Sequence, residues 1–439
     1  MEWWLILIII FGSFLLFMLS GLPVALCFWA MNILGVLFFM SGKGTYSVLI
    51  LTMFESVRSL SLGAVPLFLL MGEVMFISGI APRMMDALDQ VLGRMPGRLA
   101  LLAVVGGVVF AVMSGSGAAS VAMLGSVLVP EMEKRGYKKA MTLGPIMGSG
   151  GLAVMIPPSA MCVLFASLAN VSVGKLLVAN TLPGFVLASI FAIYIITRSC
   201  LQPSIAPRYA IPPTTLSKKI GDLAIYVLPL GGIVFLVIGL IMLGVATPSE
   251  AAALGALGCF VLAFIYRRLN WEMVKKSVAG TFRVSGMLFL IYTGATGYSQ
   301  LLAYTGSSAK LIETVVASHL PSLSLLIFLM LIIVLLGMFM EGMTIAMITL
   351  PIFMPIARKL GFDPIWFSTI MLITVELAAI SPPFGMSLFV MKSVAPPDTT
   401  MGDVYQASIP FIGLKVLLIA LIIIFPPLSL WLPGIMTAG

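Results

Sequence analysis

The chain has 439 residues, 61% of them hydrophobic and 9% charged, with a mean hydropathy of +1.17. A soluble chain averages about half apolar and a quarter charged, so this one cannot cover itself with polar groups in water and belongs in a bilayer. Its apolar residues set a ceiling of about thirteen spans, which excludes a lone anchor on a soluble domain, and its net charge of +8 fits cytoplasmic loops rich in Lys and Arg rather than a nucleic-acid partner.

In chain order, MEWWLILIII is apolar from residue 3 and lacks the basic leader of a secretory signal, so it reads as a retained helix anchored at the interface by Trp3 and Trp4. Spans are expected over 22–40, 62–80 and 99–113, with the charged stretch 81–98 as an interfacial helix. Residues 114–200 are apolar but broken repeatedly by Gly, Pro and Ser. The polar connection 198–221 holds Arg198, Arg208, Lys218 and Lys219 without an acid. Helices near 223–245 and 249–266 lead to a second basic loop with Arg267, Arg268, Lys275, Lys276 and Arg283. Both loops can be cytoplasmic, because two spans separate them. The broken texture returns over 284–304 and 322–411, and a plain helix is expected over 412–432.

Several chemistries are excluded on the way. Cys27, Cys162, Cys200 and Cys259 stand singly in apolar segments, so neither a disulfide framework nor a metal cluster is indicated. His319 has no ligand partners in its neighbourhood, and Gly174-Lys175 is followed by Leu176, so no Walker motif is present. A catalytic set for an intramembrane enzyme is missing at membrane depth.

The two broken regions match. Pro130, Gly136, Tyr137 and Pro157-Pro158 are followed 225 residues later by Pro355, Gly361, Phe362 and Pro382-Pro383, and the same offset pairs Gly117 with Gly342 and Met161 with Met386. A set of helix breakers at one spacing marks a duplicated unit, the usual construction of secondary transporters. Non-helical backbone at membrane depth needs a cavity, an ion or a ligand to satisfy its polar groups.

Each copy carries two interruptions. The first copy has Ser114-Gly115-Ser116-Gly117-Ala118-Ala119-Ser120 and Pro157-Pro158-Ser159. Glycines allow a reversal there, serine hydroxyls and freed carbonyls offer hard oxygen ligands to Na⁺, and the prolines stop a helix. The second copy has Met340-Glu341-Gly342 with Thr344, and Pro382-Pro383-Phe384-Gly385. Half-helix N-termini at such breaks favour an anion, and exposed carbonyls favour a cation. Glu341, Glu376 and Glu73 are acids within apolar segments and so candidates for function. A lone Gly-Ser-Gly would more often serve helix packing, and Glu55, Glu250 and Glu313 read as helix ends near the interface. The joint recurrence of both interruptions favours function for the set.

These motifs resemble a known family. GSGAASVAMLGSVLVPEMEKRGY, IPPS, SVGKLLVANTLPG, LGMFMEG, PIFMPIARKLGFDPIW and SPPFGMSLFV are similar to the large membrane subunit (DctM type) of tripartite ATP-independent periplasmic (TRAP) transporters, over nearly the whole chain. The resemblance implies an all-α polytopic membrane protein with the elevator fold of the ion-transporter superfamily and two inverted repeats. The expected layout is scaffold helices over 1–60, repeat one over 61–200 (hairpin 101–130, broken helix 141–170), central loops and scaffold helices over 201–283, repeat two over 284–411 (hairpin 325–355, broken helix 366–395) and a C-terminal helix over 412–439.

It further implies a sodium-coupled importer of small organic acids in the bacterial inner membrane, not an enzyme, with Na⁺ as coupling ion and no other cofactor. Its expected partners are a separate small membrane subunit (DctQ type) and a periplasmic binding protein (DctP type) that delivers the substrate. Sodium would bind where each hairpin tip meets its own broken helix, and substrate between the tips near Ser116, Ala118, Ser159 and Thr344. A binding-protein-independent sodium/dicarboxylate symporter of the same superfamily is the alternative, and a channel suits closed hairpins less well.

Overall fold

The computed structural model describes residues 2–40, 45–93, 95–114, 117–207 and 215–436, and all regular structure among them is helical. Runs of Leu, Ile, Phe and Val form α1 (Trp3–Leu19) and α2 (Val24–Phe39), separated by Gly21 in the left-handed region and by Pro23. A helix not expected from the sequence, α3 (Thr45–Val57), is followed by α4 (Ala64–Ile77) and by the amphipathic α5 (Ile80–Leu92), which covers part of the stretch 81–98 where an interfacial helix is expected. α6 (Arg98–Ser114) and α7 (Gly117–Lys134) double back on each other. α8 (Lys139–Gly150), α9 (Leu152–Met155) and α10 (Ala160–Ala169) form one span bent by 53°.

The long α11 (Val173–Leu201) leads through α12 (Leu216–Asp222) and a π turn at Leu223–Val227 into α13 (Leu228–Met242). α14 (Pro248–Ile265) opens on a capping box between Thr247 and Glu250, so Glu250 is a helix end as expected. Then come α15 (Trp271–Tyr304), α16 (Ser307–Ala317), and the pairs α17 (Ser322–Gly337) with α18 (Gly342–Lys359) and α19 (Pro364–Ala378) with α20 (Met386–Val394). α21 (Met401–Ile424) and α22 (Pro427–Gly434) end the described chain. Six helices among the described residues are long and apolar enough to cross a membrane, or seven with the bent span, well under the compositional ceiling.

Two expectations are corrected. Residues 271–304 are one unbroken helix, so Lys275, Lys276 and Arg283 lie on it rather than in a loop, and 284–304 is not interrupted. The stretch contains glycines but no proline, and its glycines serve packing: a Cβ on Gly294 would lie 2.6 Å from Phe28 Cβ, and Asn32 Nδ2 donates to Gly294 O at 2.8 Å. The last span begins at Met401, not near 412, and Pro426-Pro427 end it by removing backbone donors.

The connections sort to two ends of the molecule. At one end, Arg98 pairs with Asp89 (2.5 Å), Lys138 N donates to Ile205 O (3.0 Å), and Lys139 Nζ meets Asp398 (3.0 Å) and Asp403 (3.4 Å). The Tyr266 hydroxyl donates to Ile225 O at this same end. At the opposite end, Ser249 Oγ donates to Leu60 O (2.6 Å), and Arg358 Nη2 donates to the carbonyls of Ala169 (3.1 Å) and Asn170 (3.0 Å). The first end is the basic one, gathering Lys134, Arg135, Arg198, Lys218, Lys219, Arg267 and Arg268.

Candidate functional site

Four helices begin in the interior rather than at either end. α7 starts at the hairpin tip and α18 at the second tip, while α10 and α20 restart after cis Pro157-Pro158 and cis Pro382-Pro383. Their first turns converge on one cavity of about 440 Å³, which Gly117, Ala118 and Ala119 line from α7, Ala160 and Met161 from α10, Gly342 and Met343 from α18, and Met386 and Ser387 from α20. Each first turn presents amides without intrahelical partners, so four partial positive charges face one space. Leu69, Glu73 and Phe76 of α4 and Val284, Met287 and Leu288 of α15 complete the wall on the side toward the basic end.

Glycine is needed where these parts touch. A Cβ on Gly117 would lie 3.0 Å from Glu376 Oε2 and 3.2 Å from Gly150 O, so the first hairpin tip rests on its own broken helix and on the second one's carboxylate. At the second break a Cβ on Gly385 would fall 2.6 Å from Ala379 O. Tyr405 donates from its hydroxyl to Pro383 O at 2.8 Å, fixing that break to α21, and Phe384 packs with Phe339 and Phe389 at the second tip.

Pro157-Pro158 and Pro382-Pro383 form the two breaks and Met340 is buried just before α18; the other candidates fall into three groups. Gly117, Ala118, Glu341, Gly342 and Glu376 are on the cavity wall. Ser120, Ser159 and Thr344 are buried behind it: Ser159 Oγ accepts from Cys162 N at 3.2 Å and caps α10, whereas the Thr344 hydroxyl has no hydrogen-bond partner among the described residues. Gly115, Ser116 and the side chain of Ser114 lie outside the described residues.

Among the described residues, the wall carries three carboxylates, Glu73, Glu341 and Glu376, and no Lys, Arg or His. The residue that sequence reasoning missed is Lys415, which sits fully buried in the middle of α21 and donates from Nζ to Glu376 O at 2.8 Å. A lone lysine in the apolar run GLKVLLIALIII is the signal that could have found it.

Residues 11–428 match the family model described as "Tripartite ATP-independent periplasmic transporter, DctM component". The chain belongs to this DctM family. It is similar to the C4-dicarboxylate TRAP transporter large permease protein DctM of Pseudomonas aeruginosa, with 32% identity over 391 residues, 88% of this chain and 89% of that one. The isethionate TRAP transporter permease protein DctMQ of Oleidesulfovibrio alaskensis is 27% identical over 97% of this chain, which spans 66% of that longer protein. Among solved structures, the Alcanivorax borkumensis YdaH transporter superposes with a TM-score of 0.64 over 95% of this chain and 99% of that one, at 16% identity, a likeness of fold.

Proposed function

We propose that this DctM-family protein is the permease subunit of a sodium-coupled importer of small organic acids in the bacterial inner membrane. The observation that carries the cation coupling is the cavity wall, which among the described residues has three carboxylates and no basic side chain. An organic anion entering alone would face those charges in a low-dielectric space with only helix N-termini to hold it. Cations bound beside it remove the repulsion, and the carbonyls freed at the two breaks and two tips are suitable ligands.

An elevator movement of the four half-helices and their hairpins against α4 and α15 would carry substrate and cation together. Support for a duplicated moving unit comes from the element starts. α1, α2, α6, α7, α8 and α10 begin 225 residues, to within one, before α13, α14, α17, α18, α19 and α20. The offset reaches back to the first helices, so the proposed repeat is longer than 61–200 and takes in α1 and α2.

A DctP-type binding protein would deliver the acid, and a DctQ-type small subunit would complete the scaffold; the longer Oleidesulfovibrio alaskensis relative, designated DctMQ, has room for such a subunit in the same chain. The test is uptake into proteoliposomes holding this chain, its small subunit and loaded binding protein. Inward uptake that needs an inward sodium gradient is expected, and Gly117→Val and Ser159→Leu should each depress it strongly. Sodium-independent uptake would overturn the coupling. Uptake of free substrate by this chain alone would favour the binding-protein-independent symporter.

A further inference from the structure

We propose that the Lys415 ammonium is a tethered cation, built into the crossing of the two broken helices, that neutralises Glu376 and takes the place of a sodium ion there. The inference rests on the cation-coupled reading of the cavity.

Only two basic side chains are buried among the described residues, Arg98 and Lys415. Arg98 is paired with Asp89 at the basic end, whereas Lys415 stands mid-span in α21 with no exposure. Its position is set by the end of α19. There Ala379 N bonds Val375 O, Ile380 N bonds Leu377 O and Ser381 N bonds Ala378 O, and Glu376 O, skipped by this pattern, receives Lys415 Nζ at 2.8 Å. The ammonium therefore occupies a carbonyl freed by a helix break, the kind of ligand a bare cation would seek.

The carboxylate of the same residue is close by. A Cβ on Gly151, in the first broken helix, would lie 2.6 Å from Lys415 Nζ and 3.1 Å from Glu376 Oε2, so both charges border one small space that only glycine leaves open. Gly151 and Ile190 stand 225 residues before Glu376 and Lys415. The first copy thus has neither the acid nor the lysine, and the charge pair exists once. Glu341 also lies within electrostatic reach of Glu376. Of the three wall carboxylates, Glu73 lies within electrostatic reach of Arg283, while Glu376 is the one beside this built-in positive charge. That charge travels with the protein and leaves the count of transported ions unchanged.

Lys415→Met should unmask Glu376 for a mobile cation. In the purified permease with its small subunit, the variant should gain thermal stabilisation from NaCl over choline chloride beyond that of the parent, and the Hill coefficient for sodium in uptake should rise by about one. Glu376→Gln with Lys415→Met removes both charges together, so the purified double variant should lose the extra NaCl-specific stabilisation of Lys415→Met, which also provides a folded comparison if the single variant is unstable. A Lys415→Met protein that responds to sodium like the parent overturns the proposal. So does a double variant that keeps the extra NaCl-specific stabilisation of Lys415→Met, because Glu376 would then not be the group that the lysine masks. Should the parent prove indifferent to sodium in uptake, the proposed coupling fails, while the sodium-specific stabilisation of Lys415→Met still decides the tethered cation.

Discussion

Gly117 has little freedom on the cavity wall, since its missing side chain lets a hairpin tip meet Gly150 O and Glu376 Oε2. Gly117→Ala should slow uptake several-fold in proteoliposomes while leaving expression near normal, because the atom that must move is the end of a glutamate side chain. Thr247→Ala makes a contrasting control. It removes the N-cap of α14 far from the cavity, so it should cost about 0.5–2 kcal/mol of stability, read as a lower melting temperature, without changing the sodium dependence of uptake. The acids were legible in the sequence because a carboxylate in an apolar run is anomalous by itself. Glu73, Glu341 and Glu376 were picked out that way, and the fold brings all three to one wall. Ser159 and Thr344 were less legible, because a hydroxyl can turn to a backbone partner as easily as to a ligand. Ser159 caps a helix, and only three-dimensional placement reveals that.

The elements that sequence placed well are those bounded by proline or by paired glycines. Helix ends among the described residues fall at these breakers, as at Pro157-Pro158 and Pro382-Pro383 and at Gly136 and Gly361, since a missing donor or a left-handed turn acts locally. α15 was misread because glycine in a membrane helix has two uses, and whether Gly294 and Gly297 break the helix or admit α2 depends on a neighbour some 260 residues distant. Joint motion of the hairpins and broken helices can be checked with cysteine pairs in a background lacking the four native cysteines. Cross-linking Met330→Cys to Thr374→Cys, which would join α17 to α19, should leave uptake largely intact. Joining Leu69→Cys to Met161→Cys across the cavity should abolish it. A second check concerns the tie between α8 and α21. Lys139 donates to Asp398 and holds its carboxyl below the usual carboxylate range. The stability from this contact is present above the ordinary value and is lost as pH falls through the lowered one, so between pH 5 and 8 the melting-temperature difference between wild type and Asp398→Asn should stay flat.

At the scale of the whole molecule, the sorting of charge fixes an orientation. By the positive-inside rule, the end holding Arg98, Lys134, Lys138, Lys139, Lys218 and Arg267 is expected to face the cytoplasm. Single cysteines at Lys138 or Arg267 should then react with impermeant maleimide only from the cytoplasmic side, and those at Asn170 or His319 only from the periplasmic side. The unbroken α15 adds a length scale. Its Met287 borders the central cavity, while twelve residues on its Ser299 borders a second, polar cavity of about 770 Å³ at the opposite end, beside Ser56, Ser167 and Asn170. At 1.5 Å per residue those two positions are about 18 Å apart along one straight axis. A continuous helix cannot shorten, so it works as a ruler. If cargo passes from beside Ser299 to beside Met287, the stroke of each transport cycle is set by the spacing of two residues on one helix, and a distance probe between α10 and α15 should report two populations separated by about that amount.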